Sequence, residues 1–369
     1  FWPLKALSEY VLNTGDDSIF SEEIVYRSFP SCDITHKESI LNHVKRAVRS
    51  IEGRFIKDSY LISYAGGDWD DTLQPINENF KERLVSTWTM ALSYETLKDL
   101  YNVIPDNDFK ENIRKMYIGI RECFLKYAIK DDVVSGFLYF NEDDEIEYLL
   151  HPFDKITGIN YRLLPLTRSI ISEIIDLEQA MINEKIIDDH LTFNDGVRLM
   201  NNTPRYNGGI PEIFKRAEQA SNVGREISLQ YVHAHIRFIE SMCKLGREEK
   251  VWESLYKIIP IKLNDYVENA NFRQSNVYFS SSDGAFNNRY DFQDRFNELK
   301  HGNVEVKGGW RIYSSGPGIY INQLISNIIG IREVKDRIIF DPIISRTFEE
   351  LKCSYKILGN GSEILYRRD

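Results

Sequence analysis

Cysteine is scarce in this sequence and widely scattered. Cys32, Cys123, Cys243 and Cys353 form no CxxC pair, which excludes a disulfide framework and a cysteine-based metal site. They read as reduced thiols in a reducing compartment, the cytoplasm. Basic residues are in deficit: 46 Lys and Arg against 56 Asp and Glu leave a formal net charge of −10. No basic cluster interleaved with aromatics occurs, so the concentrated positive surface that nucleic acid needs is missing. No apolar run approaches the length of a membrane span. A metalloprotease HExxH, a Walker loop, a fixed-period repeat and low-complexity tracts are absent as well.

What is present is an ordinary soluble composition in 369 residues, 42% hydrophobic and 28% charged, enough for one large domain or two smaller ones. Most of the apolar pattern has the period of a helix. Leu4, Leu7 and Val11 form one stripe that Gly15 stops; Ile40, Leu41, Val44, Ala47, Val48 and Ile51 form another that Gly53 stops. Further stripes run through Leu84–Leu92, Ile113–Phe124, Ile170–Ile175, Ile236–Cys243 and Ile321–Ile328. Elaborate polar loops separate them, as in stacked helical hairpins such as an α/α barrel. Near the end the period changes. Leu351, Cys353, Tyr355 and Ile357 alternate with polar residues, Gly359-Asn360-Gly361 offers a turn, and Ile364 and Tyr366 alternate again. The expectation is predominantly helix to about residue 331 and strands thereafter.

Three segments carry candidate chemistry. In Gly66-Gly67-Asp68-Trp69-Asp70-Asp71, three carboxylates flank a Trp. Crowded carboxylates repel, so at least one is expected to have a raised pKa and to keep its proton. A protonated carboxyl beside an aromatic face suits glycosidic cleavage; a calcium loop or a solvated acidic turn is the alternative reading of the same spacing. In Tyr231-Val232-His233-Ala234-His235 the two histidines sit at i and i+2 and do not share a helix face. One is expected to face a cavity and the other to pack. Gly308-Gly309-Trp310-Arg311-Ile312-Tyr313-Ser314-Ser315-Gly316 precedes an apolar helix and offers amides and hydroxyls to an anion. A polar stretch, Ser280-Ser281-Ser282-Asp283, either lines a sugar cleft or caps a helix.

Together these segments resemble glycoside hydrolase family 94, the inverting phosphorylases of β-glucosides. Gly67-Asp68-Trp69-Asp70-Asp71 is similar to the family's G-D-W-N-D motif, with Asp70 in place of Asn. The resemblance implies Asp71 as general acid, Trp69, Asp68, Asp283 and Trp310 as sugar contacts, and His233, Ser314 and Ser315 as phosphate contacts. Within the family the likeness is to members acting on 1,2-β-oligoglucans, through YAGGDWDDTLQP (64–75), TGINYRLLPLTRSI (157–170), YVHAHIRFIESMCKLG (231–246), YFSSSDGAFNNRY (278–290) and GGWRIYSSGPGIYINQLI (308–325).

The implied fold is mainly α. An (α/α)6 barrel over 1–331, incomplete at its N-terminus, is followed by a C-terminal β element over 332–369. The first barrel helices and an N-terminal β-sandwich are expected to lie outside this chain, as a part with which it would associate. The implied reaction is reversible phosphorolysis of β-1,2-glucooligosaccharides to α-glucose 1-phosphate, with inorganic phosphate as a substrate and no cofactor or metal. No nucleic-acid or membrane partner is expected. Competing readings are an inverting β-1,2-glucanase, the phosphorylase-like domain of a cyclic β-1,2-glucan synthase, and a non-catalytic glucan-binding fragment.

Overall fold

The computed structural model describes the chain apart from residues 66, 222, 224–226, 228, 310–314, 336, 358, 368 and 369 and the side chain of Ser315. Among the described residues there are twelve α-helices, which take up most of the apolar stripes; Leu84 lies instead in a strand, and Ile174 and Ile175 lie past a helix that ends at Ser172. The first five are α1 (Trp2–Thr14), α2 (Ile40–Glu52), α3 (Glu78–Arg83), α4 (Thr87–Val103) and α5 (Asn107–Cys123). Then come α6 (Leu163–Ser172), α7 (Leu177–Ile186), α8 (Val232–Lys244) and α9 (Glu248–Tyr256). The short α10 (Arg289–Asp294) and α11 (Phe296–Lys300) precede α12 (Ser315–Gln323). The stop signals act as expected at α1: Gly15 takes φ 75 and its N–H closes on the Val11 carbonyl.

Burial divides the helices into two layers. All ten residues of α6 are buried, and α4 is buried around most of its circumference, the mark of helices enclosed on every side. By contrast α5 buries only Ile113, Met116, Gly119 and Ile120, a single stripe. The chain therefore lays α1, α4, α6, α8 and α12 side by side in that order, and backs α4, α6 and α8 with α5, α7 and α9.

A structural repeat appears that no sequence period announces. Three times a helix ends in a five-residue π-turn and a short antiparallel hairpin follows. Phe124–Ala128 leads to Ile129–Lys130 and Val133–Val134; Ile187–Leu191 leads to Thr192–Phe193 and Gly196–Val197. Leu324–Ile328 leads to Ile331–Val334 and Arg337–Phe340. Each π-turn buries an apolar residue at its last position: Ala128, Leu191 and Ile328. That anchors the widened turn against the core while the chain reverses.

The tail hairpin, Glu350–Ile357 with Asn360–Arg367, matches the alternation read from sequence. Leu351, Cys353, Tyr355, Ile357, Ile364 and Tyr366 all stand on its half-buried face. Asn360 and Gly361, expected in its turn, belong instead to the second strand, where they pair with Ile357 and Lys356. Strands also occur well before residue 331, contrary to expectation. Glu23–Arg27 pairs with Ile34–Ser39, and Leu84–Ser86 joins Phe137–Phe140 and Ile146–Leu149 in a three-stranded sheet. At two to six residues they are too short to show a period.

Leu97 tests the inner layer. It has no exposed surface on α4, which packs against α1, α5 and α6. Leu97→Ala is expected to cost about 2–5 kcal/mol of unfolding free energy, read from denaturant curves; a change under about 0.5 kcal/mol would place α4 outside the core.

Candidate active site

The acidic motif is folded as a tight turn whose three carboxylates have different partners. Gly67, at φ 136, supplies a conformation that side chains disfavour. Asp68 then points inward with no exposed side-chain surface. Its Oδ1 accepts from Arg162 Nη2 at 2.6 Å and from the Asp70 N–H at 2.9 Å; its Oδ2 accepts from Arg162 Nη1 at 3.1 Å and from the Ser86 hydroxyl. Asp70, also buried, accepts from the N–H and hydroxyl of Thr72 and so caps the 3₁₀ turn Asp71–Leu73. Asp71 is left outside. Its carboxylate is 62% exposed, with Arg216 Nη1 3.7 Å away. Arg216 is brought there by the neighbouring segment, where Lys215 and Ala217 donate to the carbonyls of Gln74 and Thr72. The three carboxylates of the motif thus have different surroundings: one is paired with arginine, one caps a turn and one is largely exposed.

Trp69 joins this turn to the histidine segment. Its ring lies 5.1 Å from Tyr231 and 5.4 Å from His233, the latter edge-on. Together with Trp2 and Trp88 it separates two hollows. The larger, about 620 Å³, is walled by these rings with Ser50, Arg54 and Tyr64; the smaller brings Thr167, Arg168, His233 and Arg237 together. Arg168 is held by Glu95 at 2.8 Å and Arg237 by Glu240 at 2.5 Å. Burial, reinforced by the positive charge of Arg237 and Arg168, lowers the His233 pKa from 6.5 to about 4. His235 packs instead. Its Nδ1 accepts from the Val197 N–H, so Nε2 donates to the Ser254 carbonyl at 2.8 Å, and burial lowers its pKa to about 4 as well.

A three-stranded antiparallel sheet closes the neighbourhood: Gln230–Tyr231, Ser281–Gly284 and Val306–Gly308. Ser281 stands opposite Tyr231, and Asp283, two residues on, shares its face. That places Asp283 on the side of the sheet that touches Trp69 and His233. Burial raises its carboxyl to about 6, against a hydrogen bond from Ser281 and the charges of Arg198, Lys307 and Arg273. Its Oδ1 is buried with no hydrogen-bond partner among the described residues. A Cβ on Gly309 would lie 1.9 Å from Ser281 Oγ, so only glycine fits beside that strand. Trp310 and Ser314, expected to touch sugar and phosphate, lie outside the described residues. Ser315 opens α12, which packs against α8, the helix that carries His233. No group of three or more His, Cys, Asp or Glu among the described residues is arranged to hold a metal ion.

With this geometry in place, comparison with known proteins is decisive for the family. The model of the glycosyl hydrolase 94 superfamily catalytic domain matches residues 1–281. The chain belongs to glycoside hydrolase family 94. A 1,2-beta-oligoglucan phosphorylase of Listeria innocua serovar 6a is 48% identical over 358 residues, which is 96% of this chain and 33% of that protein. The chain therefore spans about a third of the length of this curated relative. Two solved structures share the fold at low identity. A sialidase superposes with a TM-score of 0.56 at 11% identity, covering 100% of this chain and 30% of its own. A GH78 family rhamnosidase of Bacillus sp. GL1 superposes at 0.52 and 12%, covering 90% and 26%.

Within this family 94 site, sequence reasoning missed Arg162, Ser86, Trp88, Arg168 and Arg237. The available signal was an arginine set in an apolar stretch: Arg162 and Arg168 punctuate Leu163-Leu164-Pro165-Leu166 and Ile170-Ile171, and a long charged side chain in a buried helix must have a partner. No helix among the described residues is long and apolar enough to cross a membrane.

The two histidines predict a pH dependence. Both have folded-state pKa values near 4, below the ordinary 6.5, so the unfolded chain binds protons more readily. Their contribution to stability is complete above about pH 6.5 and is lost as pH falls toward 4. NMR titration of the imidazole Cε1–H resonances should show both rings neutral at pH 6. Midpoints near 6.5 in the folded protein would contradict the burial described.

Proposed function

We propose that this chain forms the catalytic part of an inverting phosphorylase of β-1,2-linked glucooligosaccharides, releasing α-glucose 1-phosphate. The observation that carries the reading is the Trp69–His233 ring contact at 5.4 Å. It joins an aromatic sugar platform, two residues from Asp71, to a histidine set among arginines. The 48% identity to a protein named for this activity supports the substrate class. The side-by-side series α1, α4, α6, α8 and α12, backed by a second layer, supports a helical barrel of the (α/α)6 kind.

In this reading Trp69 contacts the acceptor sugar, and inorganic phosphate attacks the anomeric carbon of the neighbouring glucosyl unit from the side opposite the leaving oxygen. Asp71 protonates that oxygen as the bond breaks. His233 is neutral at working pH and donates a hydrogen bond to phosphate, leaving the nucleophile its charge. The site needs no second carboxylate to activate water, as an inverting hydrolase would, because phosphate is already a nucleophile. Phosphate contacts from Ser314 and Ser315, and sugar contacts from Asp283 and Trp310, complete the proposal. Asp68, expected from the sequence to contact sugar, has an enclosed side chain, which supports a role in holding the turn. No cofactor enters, and the reaction is placed in the cytoplasm.

Glucose 1-phosphate release from a β-1,2-glucan, with and without phosphate, tests this reading in the complete protein. Product should require phosphate, and Asp71→Asn should lower turnover by ~10²–10⁴-fold while sugar binding survives. Asp70→Asn should be milder. Free glucose formed without phosphate, or full activity in Asp71→Asn, would refute the assignment. Linkage is tested in the reverse direction: with α-glucose 1-phosphate as donor, sophorose should be extended and cellobiose should not. The opposite preference would overturn the β-1,2 assignment.

A further inference from the structure

Arg162 is the most enclosed cation near the proposed acid, and the mechanism above leaves it without a task. It lies 94 residues from its partner Asp68 in sequence, has 1% of its surface exposed, and cannot touch a sugar. Both Nη groups are committed to the two oxygens of Asp68, at 2.6 and 3.1 Å, while its Nε has no hydrogen-bond partner among the described residues. The guanidinium carbon lies 4.7 Å from the centroid of the Phe137 ring. At Gly136 a Cβ would lie 3.3 Å from Arg162 Cδ and 2.5 Å from Leu150 Cβ. The side chain is therefore packed tightly, and both of its side-chain hydrogen bonds go to one carboxylate.

That carboxylate organises the acid-bearing turn. Asp68 Oδ1 also accepts the Asp70 N–H, and Asp70 in turn caps the turn that begins at Asp71. At its other end Arg162 is the N-cap residue of α6, whose Leu164, Thr167, Arg168 and Ile171 line the hollow shared with His233. One side chain thus ties the turn that presents the acid to the helix that walls the histidine side. In-line displacement requires acid and nucleophile on opposite faces of one anomeric carbon, so the spacing between those two pieces is functionally significant. We infer that Arg162 is a positioning residue: through its two-point grip on Asp68 it holds the Asp71 turn in register with the His233 wall of the site. The inference rests on the phosphorylase reading for its catalytic consequence, but not for the grip itself.

Arg162→Lys keeps the charge and loses the fork, since an ammonium cannot hold two carboxylate oxygens in a fixed plane. Two measurements on the complete protein separate positioning from general support. Amide hydrogen exchange should quicken by about tenfold or more at residues 69–73, with protection of α8 unchanged. Turnover of β-1,2-glucan should fall by about 10²-fold, the usual result of moving a catalytic group by an ångström. Phosphorolysis of 4-nitrophenyl β-glucoside, whose phenolate leaves without a proton, should stay within roughly threefold. Should Arg162→Lys not fold, Ser86→Ala removes another donor to the same carboxylate and is read in the same two ways. Unchanged exchange at 69–73, or equal losses on both substrates, would overturn the inference. If the unaltered protein released no glucose 1-phosphate from either substrate, the phosphorylase reading would fail, and exchange alone would decide whether Arg162 holds the turn.

Discussion

The ion pair between Arg162 and Asp68 is the constraint around which the site is built. Removing two charges from water costs several kcal/mol each, so such a pair persists only where geometry and added hydrogen bonds offset that cost. Here the guanidinium meets both carboxylate oxygens, and Ser86 and the Asp70 amide occupy remaining acceptor positions. The two side-chain donors belong to different pieces of the fold from the carboxylate they meet. Ser86 caps α4, Arg162 opens α6, and Asp68 begins the acidic turn. The starts of two inner helices therefore converge on one buried carboxylate, and the turn has little freedom to be elsewhere.

This explains which parts could be read from sequence. The amphipathic helices were legible because their apolar residues recur every three to four positions, and the tail hairpin because eight-residue strands alternate long enough to show a period. The π-turns and two-residue strands were not, since a five-residue turn leaves no periodic trace. The acidic motif was legible because its residues are contiguous. Arg162 was not, because its partner is far along the chain and nothing local marks the pairing beyond an arginine among leucines. The contiguity of Asp68, Asp70 and Asp71 did not reveal that folding gives two of them buried donors, Arg162 and Ser86 for Asp68 and Thr72 for Asp70.

The histidine pair was read more nearly as it is. Positions i and i+2 diverge on a helix, so one ring was expected to face a cavity and the other to pack, and His233 and His235 do so. What the sequence could not show is that both rings are depressed to about 4 for partly different reasons. Burial dominates each, but only His233 also feels Arg168 and Arg237 across a hollow.

Those arginines bear on how an acidic protein would hold phosphate. Arg162, Arg168, Arg198 and Arg237 each have a carboxylate at 2.5–2.8 Å: Asp68, Glu95, Asp195 and Glu240. These pairs offset part of the buried positive charge around the site before any ligand arrives, although Glu95 is shared between Arg168 and Lys5. A neutral His233 adds none. On the proposed reading the anion is held by hydrogen bonds and oriented dipoles more than by an unpaired cation. A phosphate clamped by a full uncompensated charge would be a weaker nucleophile and a slowly released product. An enzyme that runs in both directions must bind inorganic phosphate and its sugar ester comparably, and a nearly neutral, donor-rich pocket suits both.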